Sequence, residues 1–210
     1  MRPGASLVLA LLPTLACASS DESRPAVAAP ARSAPPAEPA AEPAPEPPAQ
    51  AEAPARTGEL HFTAQPGWVV ETPTSSMRKA QYRLPGSGGA ADASLVVYNF
   101  GAGGGGGVEA NLARWAGQFE QPDGSDSRAA MKSSKRTLNG LAVTDVEIAG
   151  TYVAETSPGS GEHVREEGWR MLAAILDHPE GAYYVKLVGP AATVARWQAS
   201  YTSFLEGVGR

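Results

Sequence analysis

Short apolar runs separated by proline and glycine predict a series of β-strands in the long C-terminal region of the chain. Residues 60–62 and 68–70 each predict a short strand, and residues 65–67, Gln-Pro-Gly, predict the turn between them. Residues 80–84 predict a third strand. Residues 95–100 are apolar at successive positions, which is typical of a strand buried on both faces, so we place this strand near the centre of a sheet.

Helical spacing replaces this pattern in two places. Residues 108–119 carry apolar side chains at helical offsets and polar ones on the opposite side, which predicts an amphipathic helix. Its apolar stripe is Val108, Leu112, Trp115 and Phe119, and its polar side is Glu109, Asn111, Arg114 and Gln118. A second helix is predicted to begin at Pro190, which suits a first helical turn, and to end near Gly207. Its stripe is Val194, Trp197, Tyr201 and Leu205.

Two strand pairs complete the predicted sheet. Asn139-Gly140 has the chemistry of a tight hairpin turn, so residues 131–138 should pair with residues 141–148. Residues 169–176 and 182–188 are rich in large apolar side chains, and we expect them to be neighbours near the middle of the sheet. The fold class predicted for residues 58–210 is therefore a single α+β domain with a mostly antiparallel β-sheet covered by two amphipathic helices.

The start of the chain has a different pattern. Residues 7–12 form a short apolar run, and Leu15-Ala16-Cys17, which follows it, contains the only cysteine. This pattern resembles the signal peptides of bacterial lipoproteins, and the resemblance implies that residues 1–16 are removed and that Cys17 carries lipid. An ordinary secretory signal that leaves an idle cysteine is the alternative. A membrane span is excluded, because it needs about 20 apolar residues.

Residues 17–57 are dominated by alanine, proline and glutamate and contain almost no large apolar side chain. Such a segment buries too little apolar surface to offset the entropy lost on ordering, so we expect a disordered linker after the lipidated cysteine. Ala18 and Ser19 are not acidic, which by resemblance to enteric lipoproteins implies the outer membrane. We therefore expect an extracytoplasmic protein, anchored by lipid to the cell membrane or outer membrane.

The order of the predicted elements resembles the PsbP-like sandwich, which is shared by DcrB-like envelope lipoproteins. The residues that carry the resemblance are Pro66-Gly67-Trp68, the helix around Trp115, and the last strand leading into the helix of Trp197. The resemblance covers about residues 58–206. It implies an α/β/α sandwich and a family with non-enzymatic accessory and binding members, and it supplies no catalytic residues.

The net charge and the sequence motifs argue against several classes of function. The net charge of −5 comes without a basic stripe, which disfavours nucleic acid. Residues 101–106 satisfy G-x-G-x-x-G, but no acidic residue at the end of a second parallel strand follows, so we expect a flexible connection rather than a nucleotide site. Residues 162–167 place His163 among glutamates at a spacing that matches no known metal-ligand set. No nucleophile motif occurs, and we expect no catalytic residue, cofactor or metal.

Aromatic side chains supply the remaining candidates for binding. Trp115 and Trp197 lie on the apolar stripes of their helices and are expected in the core. Trp68, together with whichever of Tyr183 and Tyr184 faces away from the core, is the candidate for an exposed contact surface. The sequence therefore predicts a lipid-anchored, non-catalytic binding or assembly module that meets a partner protein in the envelope. The alternative is a small-ligand carrier or hydrolase with a cleft between sheet and helices.

Overall fold

The computed structural model describes residues 58–155 and 161–209. The predicted signal peptide, Cys17 and the predicted linker lie outside the described residues. The described elements follow in this order: β1 (Val69–Glu71), β2 (Arg78–Leu84), β3 (Ala93–Asn99), α1 (Val108–Ala116), β4 (Phe119–Glu120), α2 (Ser127–Ala130), β5 (Lys132–Leu138), β6 (Leu141–Tyr152), β7 (Glu166–Leu176), β8 (Tyr183–Pro190) and α3 (Ala191–Glu206).

These strands join in one eight-stranded sheet, and each pairing between them is antiparallel. The order across the sheet is β1-β2-β3-β8-β7-β6-β4, and β5 pairs with the other end of β6. The predicted α+β class with a mostly antiparallel sheet is therefore confirmed. The apolar strands β3, β8 and β7 occupy the middle of the sheet, as their sequences indicate.

The hairpin between β5 and β6 has the predicted turn. Leu138 pairs with Leu141, and the two residues between them have positive φ, 52° at Asn139 and 81° at Gly140. The Asn139 side chain also donates hydrogen bonds to the carbonyls of Glu206 and Val208, each over 2.9 Å. The turn therefore fixes the strand register and ties the end of α3 to the sheet.

Each face of the sheet carries its own apolar cluster under one helix. Side chains alternate between the faces along β7: Leu172, Ala174 and Leu176 belong to one cluster, and Met171, Ala173 and Ile175 to the other. The helix α3 covers the first cluster and buries Phe204, whereas α1 covers the second and buries Trp115. The result is a three-layer arrangement. None of the described helices is long and apolar enough to cross a membrane.

The prediction of a strand at residues 60–62 is wrong. Residues 60–62 lie outside every strand, although Leu60 is only 5% exposed. The Leu60 N–H donates to the Tyr183 hydroxyl over 3.2 Å, and the Phe62 ring stacks on Phe204 with centroids 5.6 Å apart. Side-chain packing under α3, rather than pairing with a neighbouring strand, holds this segment.

The first predicted helix is shorter than its apolar stripe. It ends at Ala116, where Gly117 forms the C-cap and its N–H donates to the Ala113 carbonyl. The chain then turns, so Phe119 is buried as part of β4 rather than as the last residue of the helical stripe. The helical spacing of apolar residues in the sequence extends to Phe119, although the helix itself ends at Ala116.

The predicted contact surface is also wrong. Trp68 is 7% exposed and packs against Tyr82 and Phe204, with ring centroids 5.5 and 5.1 Å apart. Tyr183 and Tyr184 point to opposite faces of β8 and are 4% and 3% exposed. Because β8 lies in the middle of the sheet and is covered on both faces, neither tyrosine is available as an exposed contact.

Candidate functional site

A cleft opens beside α1, where the helix leaves part of its sheet face uncovered. The helix has only nine residues, and the paired residues Arg83 and Ser94 are exposed on this face. Two adjoining cavities, of about 280 and 640 Å³, lie along the helix. They share four lining residues: Tyr98, Arg114, Gln118 and Lys186. Together with Arg78 and Tyr152, these residues define what we call the Lys186 cleft, whose size is typical of small-molecule sites.

Lys186 lies on the floor of the cleft, in the middle of β8. Its Nζ donates to Gln118 Oε1 over 2.5 Å and to the Tyr152 hydroxyl over 3.2 Å. Burial, with a smaller contribution from the nearby Arg114 guanidinium, lowers the pKa of Lys186 to about 8. The amine is therefore partly uncharged near neutral pH, while the side chain keeps some exposure to the cleft.

Tyr152 forms one wall. Its ring stacks on Trp169 with centroids 5.4 Å apart and an angle of 8° between the planes, and Lys186 Nζ lies 5.2 Å from the Tyr152 ring centroid. Burial, with a smaller contribution from Tyr98, raises the pKa of Tyr152 to about 12. The hydroxyl consequently stays protonated at neutral pH, accepts a hydrogen bond from Lys186 and has its own hydrogen to donate to a ligand.

Two arginines border the same space. The Arg78 guanidinium lies 5.6 Å from the centroid of the Tyr98 ring and donates to Gln81 Oε1 over 2.7 Å. Arg114, on the last turn of α1, donates to the Asn111 side chain and to the Gly105 carbonyl, the latter over 3.1 Å, and its side chain is exposed. Hydrogen bonds to neutral groups orient both guanidinium groups and leave their charges in place.

The charge of the cleft is positive. In the part of the chain that the structure describes there are seven ion pairs, and none of them includes Arg78, Arg114 or Lys186. Among the described residues that line the cavities, Glu155 supplies the one carboxylate, and it is exposed at the rim beside His163. Uncompensated cations in a concave surface concentrate anions.

An aromatic rim completes the site. Phe100 stacks on Tyr98 with centroids 6.0 Å apart and planes 2° from parallel, and it remains 38% exposed. Trp115 and Tyr184 line the smaller cavity with it. The cleft therefore presents flat apolar walls next to cations, an arrangement suited to a ligand that combines a ring with a negative charge.

The glycine run between β3 and α1 has a packing role. Asn111 Nδ2 donates to the carbonyls of Gly105, Gly106 and Gly107 over 3.0, 3.2 and 3.0 Å. A Cβ at Gly105 would lie 2.6 Å from a ring atom of Tyr184. The described sheet is antiparallel throughout, whereas a dinucleotide fold needs a parallel strand after such a helix. These glycines allow close packing under α1, and the geometry gives no support to a nucleotide fingerprint.

A further cavity of about 600 Å³ lies between the glycine run and the β7–β8 turn. Arg136 and Tyr184 are bonded within the protein, whereas His178 Nε2 is buried without a hydrogen-bond partner among the described residues. Arg136 Nε pairs with Asp145 Oδ2 at 2.5 Å, and His178 Nδ1 accepts the Glu180 N–H over 3.3 Å. Lys135 is exposed at its edge. We call this space the glycine-run cavity; it brings fewer uncommitted charges together than the Lys186 cleft does.

The residues weighed as metal ligands lie on the surface. His163 is exposed and forms an isolated bridge with Glu155, and Arg165 pairs with Glu120 over 2.5 Å. In residues 58–155 and 161–209 there is no group of three or more His, Cys, Asp and Glu side chains that could hold a metal ion. Cys17, the predicted lipid attachment site, lies outside the described residues.

Sequence reasoning missed the Lys186 cleft, although one signal was present. Lys186 is the charged residue in the middle of an apolar strand, and a lysine is rarely placed in such a position without a partner or a role. Helical spacing places Asn111 and Gln118 on the polar side of α1, but Asn111 is 2% exposed and Gln118 lines the cleft. Which side chains share the cleft depends on strands distant in sequence.

Comparisons with known proteins leave the function open. No protein-family model and no curated protein matches this chain. Solved structures match it, and one of them is a protein of unknown function from Pseudomonas aeruginosa, with 14% identity and a TM-score of 0.40 over 71% of this chain and 96% of that chain. At that level of similarity nothing about activity or ligands transfers, so the function has to be argued from the geometry of the cleft.

Proposed function

We propose that this protein is a lipid-anchored, non-catalytic binding protein of the bacterial cell envelope that holds a small anionic ligand in the Lys186 cleft. The observation that carries the proposal is the convergence of Arg78, Arg114 and Lys186, none in an ion pair among the described residues, on aromatic walls. A bound anion would compensate these charges where water is partly excluded. The rings favour a flat apolar body on the ligand.

The surface features expected of a protein-docking module are weaker. Large exposed apolar side chains among the described residues are Val69, Val70, Met77 and Phe100, and Phe100 belongs to the cleft. The edge strand β1 has three residues, which is short for pairing with another chain. At the opposite edge, β5 exposes Lys132 and Lys135, which oppose strand addition. A ligand in the cleft is therefore the better supported form of binding.

The anchor rests on Cys17 and is tested separately from the cleft. In a bacterial host we expect the full chain to fractionate with membranes and to incorporate labelled palmitate. Cys17→Ser should abolish the label and release the protein from the membrane fraction. Ser19→Ala, two residues away, is the matched control and should behave as wild type. Equal labelling of wild type and Cys17→Ser would contradict lipidation at this cysteine.

The cleft is tested with a matched pair of probes, 1-naphthoate and the uncharged 1-naphthamide. Isothermal titration calorimetry on the full chain carrying Cys17→Ser should show saturable one-to-one binding of naphthoate. The naphthamide, which has the same ring system without the charge, should bind at least about 10-fold more weakly, because a hydrogen bond to a charged group contributes more than 1 kcal/mol.

Variants assign this binding to the cleft. Arg78→Gln and Arg114→Gln should each weaken naphthoate binding by about 10-fold and leave naphthamide binding nearly unchanged. Lys135→Gln removes an exposed cation outside the cleft and should have no effect on either probe. Absence of saturable binding, or equal losses in Lys135→Gln and the two arginine variants, would contradict the proposal.

A further inference from the structure

Lys186 differs from every other lysine in the chain. The chain has four lysines. Lys79 pairs with Glu59 at 3.0 Å, and Lys132 and Lys135 are exposed on β5. Only the ammonium of Lys186 is in a cavity between aromatic side chains, without a carboxylate partner among the described residues. The same surroundings that favour an anionic ligand also favour an uncharged, nucleophilic amine.

The hydrogen bonds of Lys186 orient that amine. A neutral amine has two N–H donors and one lone pair, and the two acceptors within reach are Gln118 Oε1 at 2.5 Å and the Tyr152 oxygen at 3.2 Å. When both hydrogens are engaged, the lone pair is free to face the cleft. With a pKa of about 8, roughly a quarter of Lys186 is uncharged at pH 7.5, against about 0.1% of an ordinary lysine.

We propose that Lys186 forms a reversible imine with an aldehyde group of an anionic ligand bound in the Lys186 cleft. This inference rests on the anion site proposed above and names the ligand's reactive group. Nζ adds to the carbonyl carbon, and the oxygen takes up a proton to give a carbinolamine. Loss of both amine hydrogens with that oxygen releases one water and leaves a carbon–nitrogen double bond. Nothing is oxidised or reduced, and hydrolysis restores the amine and the aldehyde.

The neighbours of Lys186 can assist both ligand binding and imine formation. Arg78 and Arg114, which line the same cavity as Lys186, bind the ligand's negative group and leave its aldehyde to react with Nζ. Tyr152, protonated and 3.2 Å from Nζ, can donate a hydrogen bond to the carbinolamine oxygen as it forms. Ligand specificity then has two parts, because the arginines bind the negative charge and Lys186 reacts with the aldehyde.

The test traps the imine. The full chain with Cys17→Ser is incubated with 4-formylbenzoate and sodium cyanoborohydride, which reduces an imine to a stable secondary amine, and peptide mass spectrometry quantifies each lysine. At pH 7.5 Lys186 should be labelled at least about 10-fold faster than Lys79, Lys132 or Lys135, because its uncharged fraction is higher. Benzaldehyde, which lacks the carboxylate and is not bound by the arginines, should label Lys186 more slowly than 4-formylbenzoate does, while the other three lysines react with both aldehydes at similar rates. Excess 1-naphthoate should slow labelling at Lys186 alone.

The wild type, measured with both probes, separates the inference from the binding proposal, and two variants assign the adduct. Lys186→Arg has no reactive amine and should lose the cleft adduct, whereas Lys135→Arg should keep it. Naphthoate binding with equal labelling of all four lysines would overturn the imine and leave the binding proposal standing. Selective labelling of Lys186 by benzaldehyde as fast as by 4-formylbenzoate would overturn the anionic aldehyde. Loss of both naphthoate binding and selectivity would overturn both proposals.

Discussion

Lys186→Met should stabilise the protein near neutral pH, because it removes a cation that folding places in a poor environment. The pKa of Lys186 falls from an ordinary 10.5 to about 8 on folding, so the unfolded chain binds the proton more tightly. Unfolding therefore takes up protons between pH 8 and 10.5, and the stability of the wild type rises with pH across that window. The cost of the buried charge is fully present below pH 8.

The size of the effect follows from the pKa. A change from 10.5 to about 8 corresponds to about 3 kcal/mol at neutral pH and to about half of that at pH 9.5. Methionine keeps the length of the side chain but loses the hydrogen bonds to Gln118 and Tyr152, each worth about 1 kcal/mol. We expect Lys186→Met to be about 1 kcal/mol more stable than wild type at pH 7 and slightly less stable at pH 9.5.

Urea unfolding followed by tryptophan fluorescence at pH 7 and pH 9.5 measures this difference. The difference in free energy of unfolding between Lys186→Met and wild type should change by about 2 kcal/mol in favour of the wild type from pH 7 to pH 9.5. Lys135→Met, in which an exposed lysine is replaced, should show a gap that does not depend on pH. A gap for Lys186→Met that is equally independent of pH would refute the argument from desolvation.

The glycine run and the β5–β6 turn give two further predictions, both measured as free energies of unfolding in urea. Gly105→Ala should lower the free energy of unfolding by about 3 kcal/mol, because the new Cβ would lie 2.6 Å from the Tyr184 ring and the backbone has a φ of +79°. Gly103→Ala is the control: its Cβ meets no neighbour, so it should cost only about 1 kcal/mol for its positive φ. Equal costs would argue against a packing role for Gly105. Asn139→Ala should cost about 3 kcal/mol, since it loses hydrogen bonds to the end of α3, including that to Val208, and strains a φ of 52°. Asn139→Gly relieves the strain and should cost less than the alanine, and wild-type stability of the glycine variant would show that the side-chain bonds contribute nothing.

Most of the fold could be predicted because its signals are local. The Asn139-Gly140 turn needs positive φ at both residues, which few other pairs tolerate, so the pairing of Leu138 with Leu141 followed directly. The apolar strands in the middle of the sheet and the stripe of α3 follow from side-chain spacing alone. Residues 60–62 had the same local pattern as a strand, but what holds them is packing against Tyr183 and Phe204, which no local pattern shows.

The candidate site could not be predicted in the same way. Trp68 and Tyr184 were singled out by residue type, and burial depends on which helix lies above them in three dimensions. The cleft brings together Tyr98 of β3, Gln118 after α1 and Lys186 of β8, residues whose proximity is set by the order of the strands. What the sequence did contain was a lone lysine in an apolar strand, and that signal points to a site without saying which groups surround it.

The measurement that tests the central claim most directly is a ¹H–¹⁵N NMR titration of the full chain carrying Cys17→Ser with 1-naphthoate. If the Lys186 cleft is the ligand site, the largest shifts on saturation will cluster at Tyr98, Gln118 and Lys186. Shifts confined to the glycine-run cavity, around His178 and Lys135, or spread evenly over the surface, would contradict the account.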